Sequence, residues 1–133
     1  MGILIDTDIL IEWEKERLNF PEKMKGRGDE HALISVITAS ELLHGVWRAN
    51  DVNIRQKRSE FVEHILKTFP IMPINLIVAR VHAQMWAGLK SQGILIGLHD
   101  SWIAATCLAY EYTLVTNNFR EFQKIPRLHV ESW

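Results

Sequence analysis

The chain has 133 residues, of which 47% are hydrophobic and 23% charged, and its formal net charge is −1. This composition predicts one domain over residues 1–133 and gives no overall basic footprint for nucleic-acid binding. No run of about 18 apolar residues suits a membrane span, and Asp6 and Asp8 interrupt the apolar start that a signal peptide needs. Since the single cysteine, Cys107, cannot form an intramolecular disulfide, we expect a cytoplasmic protein.

The first half of the chain alternates short apolar runs, which suit buried strands, with amphipathic stretches, which suit helices. The predicted elements are a strand at 3–6, a helix at 7–14, a short helix and loop at 19–30, a strand at 32–36, and a helix from Ser35 or Thr38 to about 49. The segment 19–30 is polar and charged and contains Gly26 and Gly28, so the short helix is expected to be followed by a loop.

The second half contains clearer start and stop signals. Asp51 and Asn75 are predicted to begin helices, and Gly93 to end the second of these. In that second helix, apolar residues at helical spacing predict one buried face, formed by Leu76, Ala79, Ala83 and Trp86. The other predicted elements are an extended piece at 71–72, a helix at 100–110, and strands at 113–116 and 128–131.

Strands that alternate with helices predict an α/β fold, namely a three-layer α/β/α sandwich around a mainly parallel central sheet. In such sheets, ligands bind at the carboxyl ends of the strands. Asp6 ends the first predicted strand, Glu41 follows the second by about one helical turn, and Asn117 and Asn118 directly follow the third. We therefore expect these oxygen-bearing side chains at one edge of the sheet.

Three acidic residues, Asp6, Glu41 and Asp100, each lie beside residues of core-forming type. Burying a carboxylate is costly, and three that converge would repel one another unless a cation neutralised them. Clusters of oxygen ligands select hard cations such as Mg²⁺ or Mn²⁺. The pattern indicates a metal-dependent enzyme of phosphoryl chemistry.

Each acid also has a purely structural explanation. Asp6, Asp8 and Asp100 can each serve as helix N-caps, and Glu41 lies three residues after Thr38, which is the capping-box spacing. The residues alone leave both explanations open, because spacing along the chain does not show convergence in space. Other enzyme classes lack their signatures, since neither Gly-x-Gly-x-x-Gly nor a Walker A sequence occurs.

Four motifs occur in the order and spacing of PIN-domain proteins, and the chain resembles that family over essentially its whole length. They are Leu4-Ile-Asp-Thr-Asp-Ile-Leu-Ile11, Ser35-Val-Ile-Thr-Ala-Ser-Glu-Leu-Leu-His-Gly45, His99-Asp-Ser-Trp-Ile-Ala-Ala105 and Leu114-Val-Thr-Asn-Asn118. The segment from Phe122 to Trp133 is also similar to bacterial VapC toxins, the ribonuclease half of VapBC toxin–antitoxin pairs.

The resemblance implies that Asp6, Glu41 and Asp100 are the catalytic, metal-binding acids and that the Thr7 hydroxyl supports the site. The chain departs from the family's pattern at two places. Many PIN domains have a fourth acid after the third strand, where this chain has Asn117 and Asn118, which are candidates for the outer shell of the site. The first motif usually has Asn where this chain has Asp8, which we interpret as a cap or an outer-shell group.

The resemblance further implies a Mg²⁺-dependent endoribonuclease, with Mn²⁺ as a substitute, and a VapB-like antitoxin as partner. Arg48, Arg55 and Arg58 are candidates to hold the RNA backbone, or are simply solvated ends of helices. A homodimer and a toxin–antitoxin hetero-oligomer are expected. Residues Leu10, Trp13 and Phe20 are either dimer contacts or core. Two alternatives stay open: a non-catalytic PIN-like module that binds RNA or a partner, and a structure-specific DNA nuclease.

Overall fold

A computed structural model describes residues 2–133 and contains a five-stranded sheet in the order β3-β2-β1-β4-β5. Every pair of neighbouring strands is parallel. The strands are β1 Gly2–Ile5, β2 His31–Ser35, β3 Ile71–Met72, β4 Thr113–Val115 and β5 Val130–Glu131. The α/β class and the parallel sheet predicted from the sequence are therefore confirmed.

Helices cover both faces of this sheet. They are α1 Thr7–Glu14, α2 Phe20–Lys23, α3 Val36–Arg48, α4 Val52–Thr68, α5 Leu76–Ser91, α6 Leu98–Tyr110 and α7 Phe119–Phe122. Alternate residues of β1 point to opposite faces: Ile3 and Ile5 join a core cluster with α1, α3 and α4, whereas Leu4 joins a second cluster with α5, α6 and α7. Two cores separated by one sheet give the three-layer sandwich.

The start and stop signals in the sequence locate most elements within a few residues. Asp51 and Asn75 cap α4 and α5 through their side chains, and Gly93, just after α5, has a positive φ of 71°. Two predictions differ from the structure. The helix predicted from Asp100 begins at Leu98, and the segment after Asn118 forms the short helix α7, which was not predicted.

The predicted buried face of α5 is wrong. Leu76 and Trp86 are 64% and 50% exposed, whereas Val78, His82 and Leu89 are buried. The face turned inward is the one that carries His82, whose ring stacks on that of Trp102 with centroids 3.6 Å apart. A count of apolar residues misses this face because its central residue is a histidine.

Leu10 and Phe20, two of the three candidate dimer contacts, belong to the core, because they are 0% and 7% exposed. Trp13, the third, packs against the same core and stacks on Phe20 with ring centroids 4.9 Å apart. The core alternative is thus confirmed for Leu10 and Phe20. Within residues 2–133, no helix is long and apolar enough to cross a membrane.

Arg27 ties the loop after α2 to the end of the chain. It pairs with Glu30 and Glu131, and its guanidinium lies 5.7 Å from the ring centroid of Trp133. We expect Arg27→Met to lower the free energy of unfolding by about 1–3 kcal/mol, because it leaves partly buried carboxylates without their partner. Urea unfolding at pH 7 measures this. The matched control is Lys25→Met, whose ion pair with Glu22 is exposed and should cost little; equal losses in both variants would contradict this interpretation.

Candidate metal centre

Asp6 lies where β1 gives way to α1, near the centre of the sheet edge. Its backbone N–H donates to the Val115 carbonyl of β4, and its side chain is the N-cap of α1. Oδ1 accepts from the Thr7 backbone N–H at 2.8 Å, and Oδ2 accepts from the Thr116 hydroxyl at 2.7 Å. The residue is only 6% exposed, so the fold fixes this carboxyl group firmly.

The carboxyl group of Asp6 is electrostatically unfavourable as an anion. Burial, together with the neighbouring charges of Asp8 and Asp100, raises its pKa to about 7, although hydrogen bonds from Thr116 and Thr7 oppose the rise. A carboxylate held in this state takes up a proton or a cation near neutral pH. Asp6 does cap α1, as the structural explanation holds, but capping alone does not explain why other acids lie near this residue.

Glu41 lies in the middle of α3, so its capping-box explanation is wrong. Ser35 caps the helix by accepting from the Ile37 N–H at 3.0 Å. The Glu41 Oε1 atom instead accepts from the Thr7 hydroxyl at 2.6 Å, and Oε2 lies 3.2 Å from His99 Nδ1. The Thr7 hydroxyl therefore links α1 to the carboxylate on α3, and its supporting role in a metal site stays a prediction.

Asp100 lies in the first turn of α6, whose N-cap is Gly97, so it does not cap the helix. Burial raises the pKa of Asp100, and the charges of Glu41, Glu121 and Asp8 raise it further. These carboxylates therefore lie near enough to repel one another, which the sequence could not show. The three predicted acids, from β1–α1, α3 and α6, face the same region at the carboxyl edge of the sheet.

Glu121 is a fourth acid that the sequence analysis missed. It lies in α7, directly after the loop that carries Asn117 and Asn118, and it contributes to the raised pKa of Asp100. The available signal was its position three residues after Asn118, which is the spacing of an N-cap and the acid one turn later. The side chains of Asn117 and Asn118 are exposed.

Asp8 is held against the end of β4. Its Oδ2 accepts from the Asn117 backbone N–H at 3.1 Å and lies 3.3 Å from the Thr116 hydroxyl, while Oδ1 is buried and has no hydrogen-bond partner in the part of the chain that the structure describes. Burial raises the pKa of Asp8 as well. Asp6 is the cap of α1, so the cap explanation for Asp8 is wrong, and the outer-shell explanation remains a prediction.

The chemistry of these residues fits a hard divalent cation. The candidate ligand atoms are carboxylate and hydroxyl oxygens, and the carboxylate charges repel one another. Among residues 2–133, the buried Asp8 Oδ1 has no hydrogen-bond partner, and no three acidic, histidine or cysteine side chains stand close enough to hold an ion in their present orientations. The Glu41 carboxylate is instead in contact with Thr7 and His99.

A groove of about 540 Å³ is lined by residues of α1, α3 and α4 together with His99. Its lining includes Thr7 and Glu41 as well as Arg48 and Arg58. Of the predicted backbone-binding residues, these two therefore share a groove with Glu41, although Arg58 also donates to the Gly45 carbonyl at 3.0 Å.

Arg55 is not part of the groove lining. Its guanidinium donates to the Ala49 carbonyl at 3.1 and 2.6 Å, and it lies 5.9 Å from the ring centroid of Trp47. These contacts stabilise the C-terminal end of α3, so Arg55 has a structural role here.

A parallel sheet with acids from separate elements at its carboxyl edge is the arrangement expected of a PIN domain, and the family model described as "PIN domain" matches residues 3–128. The chain therefore belongs to the PIN-domain family. Within that family it is similar to the VapC proteins: it is 35% identical over 130 residues to Ribonuclease VapC of Rickettsia bellii (strain RML369-C), covering 98% of this chain and 95% of the relative.

Solved structures of the same group share the fold. The DNA-bound VapBC structure from Salmonella typhimurium matches with a TM-score of 0.90 and 25% sequence identity, covering 100% of this chain and 98% of that one. VapBC-1 from nontypeable Haemophilus influenzae matches with a TM-score of 0.84 and 27% identity, covering 100% and 98%.

Proposed function

We propose that the chain is the toxin of a type II toxin–antitoxin system, a Mg²⁺-dependent endoribonuclease that hydrolyses RNA phosphodiester bonds in the cytoplasm. The observation that carries this proposal is the convergence of Asp6, Glu41 and Asp100, from three separate elements, at one edge of the sheet. The name Ribonuclease VapC, borne by a relative of nearly equal length, supports RNA as the substrate.

In this proposal, Asp6 and Asp100 bind the cation, and Glu41 completes the site or orients the attacking water. Bound Mg²⁺, or Mn²⁺ in its place, supplies charge that polarises a phosphoryl oxygen and lowers the pKa of water. The water loses a proton as its oxygen bonds to phosphorus, and the bond to the 3′ oxygen breaks. The leaving oxygen takes up a proton, giving 5′-phosphate and 3′-hydroxyl ends. Thr7 holds Glu41, and Thr116 holds Asp6.

The proposed protein partner is a VapB-like antitoxin whose tail lies in the groove that Glu41 helps to line and so blocks the acids. Two solved relatives are VapBC complexes, which supports a partner of this kind. A homodimer and a toxin–antitoxin hetero-oligomer belong to the same proposal.

Cleavage of three substrates side by side tests the proposal. Purified, antitoxin-free protein is incubated with single-stranded RNA, duplex DNA and flapped DNA, each with and without Mg²⁺. Metal-dependent cleavage of RNA alone is the expected result. Cleavage of flapped DNA would favour the DNA nuclease, because the reaction does not use the 2′-hydroxyl. Binding without any cleavage would favour the non-catalytic module.

Arg48 and Arg55 form a matched pair for testing RNA binding. Because Arg48 lines the groove, we expect Arg48→Gln to weaken RNA binding. The logarithm of the association constant should also fall less steeply with the logarithm of the salt concentration, by about 0.7 in slope, as expected for one lost phosphate contact. Arg55→Gln should instead lower stability, through loss of its bonds to Ala49, and leave the salt slope unchanged. Fluorescence anisotropy over a salt series measures both slopes, and the opposite pattern would remove Arg48 from the RNA path.

A further inference from the structure

Asp8 carries a buried oxygen that the fold leaves without a partner. The Asn117 backbone N–H donates to Oδ2, so one side of the carboxylate is held, while Oδ1 is buried and receives no hydrogen bond from residues 2–133. Buried polar atoms in proteins are nearly always paired. Protonation of Oδ1 would not supply the missing hydrogen bond, since it would create a buried donor that lacks an acceptor.

The surroundings of Asp8 connect it to the acidic cluster. The Thr116 hydroxyl has one proton; it lies 2.7 Å from Asp6 Oδ2 and 3.3 Å from Asp8 Oδ2, so Asp6 takes the stronger hydrogen bond. The charge of Asp8 also acts on both Asp6 and Asp100. Asp8 is therefore one more negative charge within the cluster.

We infer that Asp8 is a further acid of the metal centre, where its unpartnered Oδ1 contributes a negative oxygen to the cation or to a water that the cation holds. The inference rests on the proposed metal-dependent function and assigns to this chain one more carboxylate than the three predicted site acids. Since the charge of the ligands tunes the affinity for a hard cation, Asp8 strengthens cation binding.

Asp8→Asn tests the role of this charge with little structural change. The amide oxygen can still accept from the Asn117 N–H, so the loop after β4 stays anchored. Calorimetric titration with Mn²⁺ should show about tenfold or more weaker binding, the range found for groups that tune a metal site from its outer shell. Glu12→Gln is the matched control, because it removes a charge that acts on Asp8 but is not among those that raise the pKa of Asp6 or Asp100; its Mn²⁺ affinity should stay within about twofold of the original.

Urea unfolding in chelator gives a second measurement that does not depend on catalysis. Asp8→Asn should raise the unfolding midpoint of the metal-free protein, because repulsion with Asp6 and Asp100 is relieved, and it should reduce the gain from added Mn²⁺. Unchanged Mn²⁺ affinity in Asp8→Asn would mean that Oδ1 is satisfied by water alone and would overturn the inference. Asp6→Asn separates this outcome from a wider failure: if that variant also binds Mn²⁺ normally, the proposed metal function fails as well.

Discussion

Replacing Asp100 by Asn is expected to lower the rate of RNA cleavage by about 100- to 1,000-fold, the range seen when one preorganised charged or polar group of an active site is removed. Asn keeps the size of the side chain but not its negative charge, which in this account binds the cation. Because the N-cap of α6 is Gly97 and not Asp100, the substitution removes no capping residue from the helix. Initial rates on a defined RNA, measured at saturating Mg²⁺, give the effect directly.

The fold of the Asp100→Asn variant should be intact. Its pKa is raised by burial and by the charges of Glu41 and Glu121, so removing its charge relieves repulsion and should raise, not lower, the unfolding midpoint in chelator. Asp29→Asn is the matched control, since Asp29 is exposed and lies outside the predicted motifs. Full cleavage activity in Asp100→Asn, with the control also active, would remove Asp100 from the site.

The metal-free protein is expected to lose stability as the pH rises from about 4 to about 7. The pKa of Asp6 rises from 3.8 to about 7 on folding, so within that window the folded state binds more protons than the unfolded state. The contribution of Asp6 to the free energy of unfolding is therefore fully present at low pH and is lost as the pH rises through the pKa of the folded state. With about 1.4 kcal/mol for each pKa unit, the loss amounts to at most about 4 kcal/mol.

Urea unfolding at a series of pH values in chelator measures this effect, with Asp6→Asn as the comparison. The variant should show a shallower decline between pH 4 and 7. His82, whose pKa is lowered by burial, acts in the opposite direction but is present in both proteins, so its contribution cancels in the difference. Added Mn²⁺ at pH 7.5 should restore stability to the original protein. Identical pH profiles for both proteins would show that folding does not raise the pKa of Asp6.

The sequence predicts much of this fold because its local signals are strong. Asp51 and Asn75 cap helices as predicted, and the apolar runs that form β1 and β2 are too short for helices. The face of α5 was missed because His82 is buried through a stack on Trp102, a tertiary contact that no local pattern contains.

The candidate site was predictable in composition but not in geometry. Asp6, Glu41 and Asp100 could be named from their motifs, whereas their mutual repulsion appears only when the sheet brings α3 and α6 to the same edge. Glu121 was missed because its approach to Asp100 depends on the short helix α7, and the unpartnered oxygen of Asp8 depends on how β4 ends. Hydrogen bonds across long sequence separations are set by tertiary packing.

Cleavage of total cellular RNA by the purified, antitoxin-free chain, with Mg²⁺ and with chelator, tests the central claim most directly. Discrete fragments with 5′-phosphate ends are expected in Mg²⁺, and no fragments are expected in chelator. Cleavage that continues in chelator, or fragments that end in a 2′,3′-cyclic phosphate, would contradict it by pointing to attack by the 2′-hydroxyl.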